Sequence, residues 1–198
     1  MSLSPEALSE KESKDINEKI KSNLGSVSTM MDNVLIWAKT QLEGFTMTKE
    51  TFNINEIIDD EVKICEEDAL QKGISVRVKS EGIMNVENDP NLLSLVVRNL
   101  INNSVKFTSS GGSINVESRQ EDRQVLIQIR DTGIGMDQEM IKSIESKSII
   151  PSIDGTQGER GSGLGLSLCQ DVLEKIGGRL KIKSQKGEGS EFIVHLPI

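Results

Sequence analysis

The sequence predicts an α/β (α+β) two-layer sandwich, in which a mixed, mostly antiparallel sheet has helices on one face and a long helix precedes it. Short segments with alternating apolar residues occur in adjacent pairs, and helical segments separate the pairs. This order differs from the regular strand–helix alternation of a doubly wound parallel sheet. The length of 198 residues allows one domain with an adequate core plus an appendage.

Charge and composition exclude several classes of function. The chain has 23 Lys and Arg against 31 Asp and Glu, a net charge of −8, whereas binding to nucleic acids or anionic membranes requires basic groups that neutralise phosphates. No apolar run approaches the ~20 residues that span a bilayer, and the N-terminus has no signal-peptide pattern. We therefore expect a soluble chain with no nucleic-acid partner and no direct membrane insertion. Cys65 and Cys169 are expected to be buried thiols in a reducing compartment.

Residues 9–44 predict one long amphipathic helix, because apolar side chains recur three or four positions apart. These apolar positions are Ile16, Ile20, Leu24, Val27, Met31, Val34, Ala38 and Leu42. The other faces are polar, so we expect a partner helix from another chain or from an upstream segment to cover the stripe. Packing of the helix onto its own domain is the alternative. Residues 1–8 are expected to be a tag or disordered start, and the polar residues 45–51 a linker.

Residues 52–198 carry the pattern of the sandwich itself. Alternating apolar residues predict strands at 52–54, 74–78, 84–86, 114–116, 125–129, 180–183 and 191–196. Helices are predicted at 55–71, 89–107 and 162–176, with a shorter one at 137–144. Asp89 followed by Pro90 marks a helix start, and Gly177 marks a helix end.

The helix predicted at 89–107 places three polar side chains on one face. At ~100° per residue, Asn99, Asn103 and Lys106 fall within about 60° of one another, away from the apolar side. Neutral amide oxygens suit Mg²⁺, which keeps several waters and takes its remaining ligands from phosphates. The alternative is an ordinary solvated face, because Asn and Lys are common on helix surfaces.

Asp131 follows a strand whose core-facing residues share its parity, so the pattern predicts a buried carboxylate that needs a donor partner. Gly133 and Gly135 come next and allow a tight turn with a close approach of the backbone to a flat ligand. Adenine suits this arrangement because its amino group donates to a carboxylate, whereas guanine presents a second acceptor. The alternative is an aspartate that caps a turn.

Glycines recur through residues 155–166, at the start of the last predicted helix. Bare backbone N–H groups and the positive end of a helix dipole attract an anion at such a place. The segment matches neither the Walker A pattern nor the glycine pattern of dinucleotide-binding folds. A glycine-rich hinge without a ligand is the alternative.

Four motifs in this order resemble those of the ATP-binding catalytic domain of sensor histidine kinases, which belongs to the GHKL superfamily of ATPases. Residues 99–108 resemble the N box, residues 131–136 and 161–166 the two glycine boxes, and residues 187–192 the glycine turn before the last strand. The resemblance covers residues 52–198. It implies a Bergerat-type fold, ATP and Mg²⁺ as ligands, and protein histidine kinase activity in two-component signal transduction.

The resemblance also implies a role for the polar side chains of these motifs. Asn103 and Asn99 would hold the Mg²⁺ that bridges the ATP phosphates, and Lys106 would contact a phosphate. Asp131 would accept a hydrogen bond from the adenine amino group. These assignments agree with the ligand chemistry that the residue types favour on their own.

The glycines receive their roles from the same resemblance. Gly133 and Gly135 would shape the pocket for the base. The phosphates would lie against Gly161, Gly163 and Leu164, with Arg160 as a further cation. Residues 136–160 would form the ATP lid, and their length and lack of periodicity suit a segment that orders on nucleotide binding.

Residues 31–41 resemble the second helix of the family's dimerisation and phosphotransfer hairpin, so residues 9–44 are assigned to that helix. In the family the acceptor histidine lies on the first helix. The sole histidine here, His195, lies in a predicted strand on the face opposite Phe192, and a structural role is expected for it. No catalytic residue is therefore assigned. The acceptor lies upstream, or the protein lacks one; the uncovered apolar stripe favours the first explanation.

Two functions from different classes follow. The first is the catalytic and ATP-binding portion of a sensor histidine kinase, in the cytoplasm or as the cytoplasmic part of a membrane-bound sensor. It would transfer the ATP γ-phosphoryl group to a histidine outside this chain, form a homodimer through the hairpin in the full-length protein, and serve a cognate response regulator. The second is a nucleotide-gated interaction module that lacks phosphotransfer activity.

Overall fold

The computed structural model describes residues 46–148, 153–159 and 163–198, together with four isolated positions near residue 35. Its helices are α1 (Ile54–Gln71), α2 (Pro90–Phe107), α3 (Gln138–Glu145) and α4 (Gly165–Lys175). Its strands are β1 (Glu50–Asn53), β2 (Ser75–Ser80), β3 (Asn85–Asn88), β4 (Ser113–Glu121), β5 (Gln124–Asp131), β6 (Arg179–Gln185) and β7 (Gly189–Pro197). The predicted α/β two-layer sandwich is confirmed.

The main sheet has five strands in the order β2-β4-β5-β7-β6. Only β2 and β4 run parallel, and the other neighbours are antiparallel, as the sequence predicts. A separate two-stranded sheet joins β1 to β3. Asp131 ends the middle strand and pairs in register with Ile114 of β4 and Ser190 of β7. The register therefore places this carboxylate at one end of the sheet, between two neighbouring strands.

Helix α2 lies in the middle of the helical layer and packs against α1, α4 and β5. Its apolar side includes Val96, Val97, Leu100 and Ile101, all fully buried. Asp89 caps its first turn by accepting hydrogen bonds from the backbone N–H groups of the second and third helical residues. The helix that carries the polar motif is thus fixed in place by the core.

The burial of one strand and the bounds of two helices differ from the sequence-based prediction. Strand β2 was expected to bury one face, yet Val78 is 37% exposed, because β2 is an edge strand with only β4 beside it. Ile54 was expected in a strand but begins α1, where the Asn53 side chain caps the helix. Helix α4 begins at Gly165 and not at Ser162, which lies outside the described residues.

The long N-terminal helix is described only at Met31, Val34, Leu35 and Ala38, which are helical and exposed. The remainder of residues 9–44 lies outside the described part, and the assignments of residues 1–8 and 9–44 stay predictions. The linker predicted at 45–51 overlaps β1, which begins at Glu50. Among the residues that the structure describes, no helix has both the length and the apolar character needed to cross a membrane.

Candidate functional site

Asp131, at the end of β5, is a buried carboxylate held by three donors. Its Oδ1 accepts hydrogen bonds from the backbone N–H groups of Gly133 at 2.9 Å and Ser190 at 3.1 Å, and its Oδ2 accepts one from Ser104 Oγ at 3.2 Å. Burial raises the pKa of Asp131, and the three hydrogen bonds oppose that shift without cancelling it. The carboxylate has a fixed orientation, and Oδ2 retains acceptor capacity for a further donor.

The backbone beside Asp131 packs so closely that it excludes side chains. A Cβ on Gly133 would lie 2.5 Å from Phe107 O and 2.8 Å from Asp131 Oδ1. Gly135 has a φ of 64°, and a Cβ there would lie 2.0 Å from Gln185 O. The turn therefore lies between the end of α2 and the end of β6. Beside the carboxylate the turn presents backbone atoms without side chains, so a flat ring could approach it closely.

The polar face of α2 meets the start of α4. Asn99 is buried, and its Nδ2 donates to Leu95 O at 2.9 Å. A Cβ on Gly165, the first residue of α4, would lie 3.3 Å from Asn99 Oδ1 and 3.8 Å from Asn103 Nδ2. Helix α4 has no side-chain cap at this end. Amide oxygens suit Mg²⁺ and a helix N-terminus suits phosphate, so the residues present here fit a Mg²⁺–phosphate group.

One helix joins the two ends of this site. Ser104 of α2 donates to Asp131, while its neighbour Asn103 lies near Gly165. The amides lie on α2 and the Asp131 carboxylate of β5 is hydrogen-bonded to the same helix through Ser104, so α2 relates the two ends of the site. Such an arrangement can hold an elongated ligand with a hydrogen-bond donor at one end and anionic groups at the other.

Lys106 contacts the segment 153–159, which belongs to the predicted lid. Its Nζ donates to Ile153 O at 3.2 Å. Burial lowers the pKa of Lys106, while the carboxylates of Glu159 and Asp154 act in the opposite direction. Lys106, which is predicted to contact a phosphate, therefore donates to a backbone carbonyl of the predicted lid in this structure.

The structure brings most of the residues singled out in the sequence to this site. Those described are Asn99, Asn103, Lys106, Asp131, Gly133, Gly135, Gly163 and Leu164. Gly163 and Leu164 immediately precede α4 and so lie at the amide end. Arg160 and Gly161 lie outside the described residues. The binding roles assigned to all ten residues stay predictions.

Part of the predicted lid is a packed helix. The short helix expected at 137–144 is present as α3, and its residues Ile141 and Ile144 are buried in the core. Residues 138–145 of the predicted lid are therefore anchored to the core, and the unanchored part of residues 136–160 is shorter than the sequence alone indicates.

Ser104 and Ser190 are site residues that the sequence analysis did not single out. Both donate to Asp131, Ser104 through its hydroxyl group and Ser190 through its backbone N–H. Ser104 lies inside the motif 99–108, and its side-chain role depends on the angle at which α2 crosses β5. That angle is not available from periodicity. The role of Ser190 depends on the pairing of β5 with β7, which periodicity does not give either.

We expect the substitution Ser104→Ala to raise the pKa of Asp131 further, because it removes a donor that stabilises the carboxylate. A raised pKa in the folded state stabilises the fold at low pH, and this contribution is lost as the pH rises through the folded pKa. The variant should therefore keep this contribution to a higher pH. Carboxyl NMR titration of Asp131 in the nucleotide-free chain measures the shift, and an unchanged or lower pKa would contradict the role of Ser104.

Comparison with known proteins supports the family resemblance that the motifs indicate. A family model described as histidine kinase-, DNA gyrase B-, and HSP90-like ATPase matches residues 88–198, which is more than half of the chain. Sensor histidine kinase ZraS of Salmonella typhimurium is 30% identical over 154 residues, which are 77% of this chain and 32% of that protein. The chain spans between 29% and 41% of the length of curated relatives that it matches.

Solved structures share the fold. The catalytic domain of histidine kinase ThkA matches with a TM-score of 0.66 at 27% identity, over 76% of this chain and 96% of that chain. Histidine kinase ThkA in complex with response regulator protein TrrA matches with a TM-score of 0.73 at 21% identity, over 96% of this chain and 53% of that chain. These matches confirm the Bergerat-type architecture that the sequence predicts.

Proposed function

Because the chain belongs to the family of histidine kinase-, DNA gyrase B- and HSP90-like ATPases and carries the ATP-binding catalytic domain of a sensor histidine kinase, we propose that it transfers the γ-phosphoryl group of ATP to a histidine outside residues 1–198. The observation that carries this proposal is the buried carboxylate of Asp131, joined through α2 to the amides near Gly165. No feature of the described residues favours a module without phosphotransfer.

The chain's own residues bind and orient the nucleotide. Asp131 accepts a hydrogen bond from the adenine amino group, and the turn at Gly133 lies against the base. Asn99 and Asn103 would hold Mg²⁺, which would neutralise charge on the phosphates. The acceptor imidazole nitrogen attacks the γ-phosphorus atom, the bond to the β-phosphate oxygen breaks, and ADP leaves.

The partners follow from this activity. The structure of ThkA with a response regulator supports a cognate response regulator as the next phosphate acceptor for this protein too. The exposed apolar side chains of Met31, Val34 and Leu35 support a homodimer through the helical hairpin of the full-length protein. We place the domain in the cytoplasm, where its substrate ATP is available.

This chain alone should bind Mg·ATP without forming phosphohistidine. Its sole histidine, His195, lies in β7, five positions along the strand from Ser190, whose backbone N–H contacts Asp131. The ring contacts Gln124 at 3.2 Å, on a strand that packs within the sheet. Incubation with γ-labelled ATP, followed by assay for acid-labile label, tests this expectation.

The same assay with added full-length protein tests the phosphotransfer itself, provided that Asp131→Asn in the full-length protein leaves this chain as the source of ATP binding. Label on a histidine outside residues 1–198 supports the proposed kinase, and the His195→Gln variant of this chain should support the same transfer. ATP binding without label on any histidine of the full-length protein would identify a nucleotide-gated interaction module. Label on His195 would contradict the assignment of the acceptor to another segment.

A further inference from the structure

Lys72, just after the end of α1, is a buried cation that caps the end of α2. Its side chain is 4% exposed. Its Nζ donates to Val105 O and to Lys106 O, both at 2.8 Å. These carbonyl groups belong to the last turn of α2, where the helix has no further N–H groups to donate to them. A lysine amine has three protons to donate, so one donor of Lys72 remains.

Glu159 of the lid accepts that third hydrogen bond. The distance from Lys72 Nζ to Glu159 Oε1 is 2.6 Å. The second oxygen of the same carboxylate accepts from the Gln157 N–H at 2.8 Å, and the backbone carbonyl of Glu159 accepts from the Gly155 N–H at 2.8 Å. Glu159 therefore closes a compact turn and ties this turn to the buried lysine.

Thr156 adds a second attachment between this turn and α2. Its N–H donates to Lys106 O at 3.1 Å, and its Oγ1 contacts the carbonyl oxygens of Lys106 and Thr108. A Cβ on Gly155 would lie 2.6 Å from Lys106 Cγ, so the turn lies directly against the lysine that is predicted to contact phosphate. Residues 153–159 are thus fixed to the end of α2 by side-chain and backbone contacts.

We propose that Lys72 is a positioning residue of the nucleotide site, because its pairing with Glu159 holds the lid turn 153–159 against the end of α2. Glu159 stands four residues before Gly163, so the pair holds the chain a short distance in sequence before the start of α4. The phosphate end of the site is then partly ordered before the nucleotide arrives. This inference rests on the proposed ATP-binding function. It adds a residue that positions the phosphate end of the nucleotide site.

The electrostatics favour a persistent contact. Lys72 is buried, so releasing Glu159 leaves a buried cation with one donor that lacks a protein partner. Burial alone would raise the pKa of Glu159, but hydrogen bonds from Lys72 and from backbone N–H groups outweigh it and leave the pKa below its usual value. The carboxylate is therefore charged at neutral pH.

The test compares Glu159→Gln with a matched variant, Glu121→Gln. Glu121 also pairs with a cation, Arg119, at 2.7 Å, and it lies at the end of β4 farthest from Asp131. We expect Glu159→Gln to weaken Mg·ATP binding about tenfold, which is the loss typical of one charge-assisted hydrogen bond. Binding of AMP, which lacks the β- and γ-phosphates, should stay within about twofold of the unaltered chain. Glu121→Gln should change neither affinity.

Amide hydrogen exchange in the nucleotide-free chain tests the tether independently of any ligand. The N–H groups of Gly155, Thr156 and Gly158 all have backbone partners in the docked turn. In Glu159→Gln we expect their protection to fall by about tenfold, whereas amides of the sheet keep theirs. Unchanged protection would overturn the role of the pair.

The nucleotide titrations separate this inference from the proposed function. Equal losses for ATP and AMP would indicate a general structural defect and overturn the positioning role, as would an unchanged ATP affinity. A chain that binds neither nucleotide would overturn the proposed function itself. In the double variant Lys72→Met with Glu159→Gln, the ATP affinity should match that of Lys72→Met alone, because the glutamate acts through the lysine. Additive losses would contradict that coupling.

Discussion

Replacing Asp131 by asparagine is expected to reduce the affinity for Mg·ATP by at least about 100-fold, which corresponds to roughly 2.7 kcal/mol. The amide oxygen of Asn can still accept from Gly133 and Ser190, which hold Oδ1 at 2.9 and 3.1 Å. The other carboxylate oxygen, however, becomes an NH₂ group that faces the adenine amino group, and two donors cannot bond to each other. The fold should survive because the anchoring contacts remain.

Calorimetric titration of Mg·ATP into the variant measures this loss, and Asp122→Asn is the matched control. Asp122 lies in the turn at the opposite end of the β4–β5 hairpin, has a φ of 52° and is exposed. Asparagine tolerates that conformation, so the control should bind as the unaltered chain does. An affinity of Asp131→Asn within about tenfold of the original would contradict base recognition by this carboxylate, since a correctly placed charged acceptor contributes more.

Replacing Gly135 by alanine is expected to destabilise the fold by about 3 kcal/mol or more. A left-handed φ of 64° costs an alanine roughly 1–2 kcal/mol, and the new Cβ would lie 2.0 Å from Gln185 O. Separating these backbones requires a shift of the turn, which adds roughly 1–3 kcal/mol as in other overpacked sites. The same shift moves Gly133 and weakens its hydrogen bond to Asp131.

Urea denaturation measures this change, with Gly82→Ala as the control for the backbone effect. Gly82 has a φ of 72°, and no atom lies within 4 Å of its Cβ position. Its substitution should therefore cost only the roughly 1–2 kcal/mol of the left-handed conformation. Equal losses for the two variants would mean that the close approach of Gly135 to Gln185 does not constrain the fold.

Periodicity was enough to predict the sandwich and most of its elements. The proline after Asp89 and the apolar spacing of α2 give this helix its start and its buried side, and the alternation in β5 places Asp131 among core-facing residues. Periodicity does not predict the order of strands in the sheet, because that order depends on long-range pairing. The exposure of Val78 in β2 is understood only once that strand is known to lie at an edge.

The site was predictable where a residue type indicates its own chemistry. Asn103 and Asp131 belong to motifs with fixed spacing, and the structure places Asn103 near the start of α4 and Asp131 in contact with Ser104 of α2, while their binding roles stay predictions. Lys72 gave no such signal, because a lysine after a helix is ordinarily a solvated residue. Its function depends on the distance between two segments 87 residues apart in sequence, Lys72 and Glu159, which only the folded chain reveals.

The most direct test of the account is a calorimetric titration of Mg·ATP into this chain, with Mg·GTP as the comparison. We expect saturable binding of one ATP per chain and no measurable heat from GTP, because guanine presents an acceptor to the Asp131 carboxylate. Amide NMR during the same titration should show the largest shifts at Gly133 and at the start of α4. Equal binding of both nucleotides, or no binding of ATP, would contradict the assignment of this site.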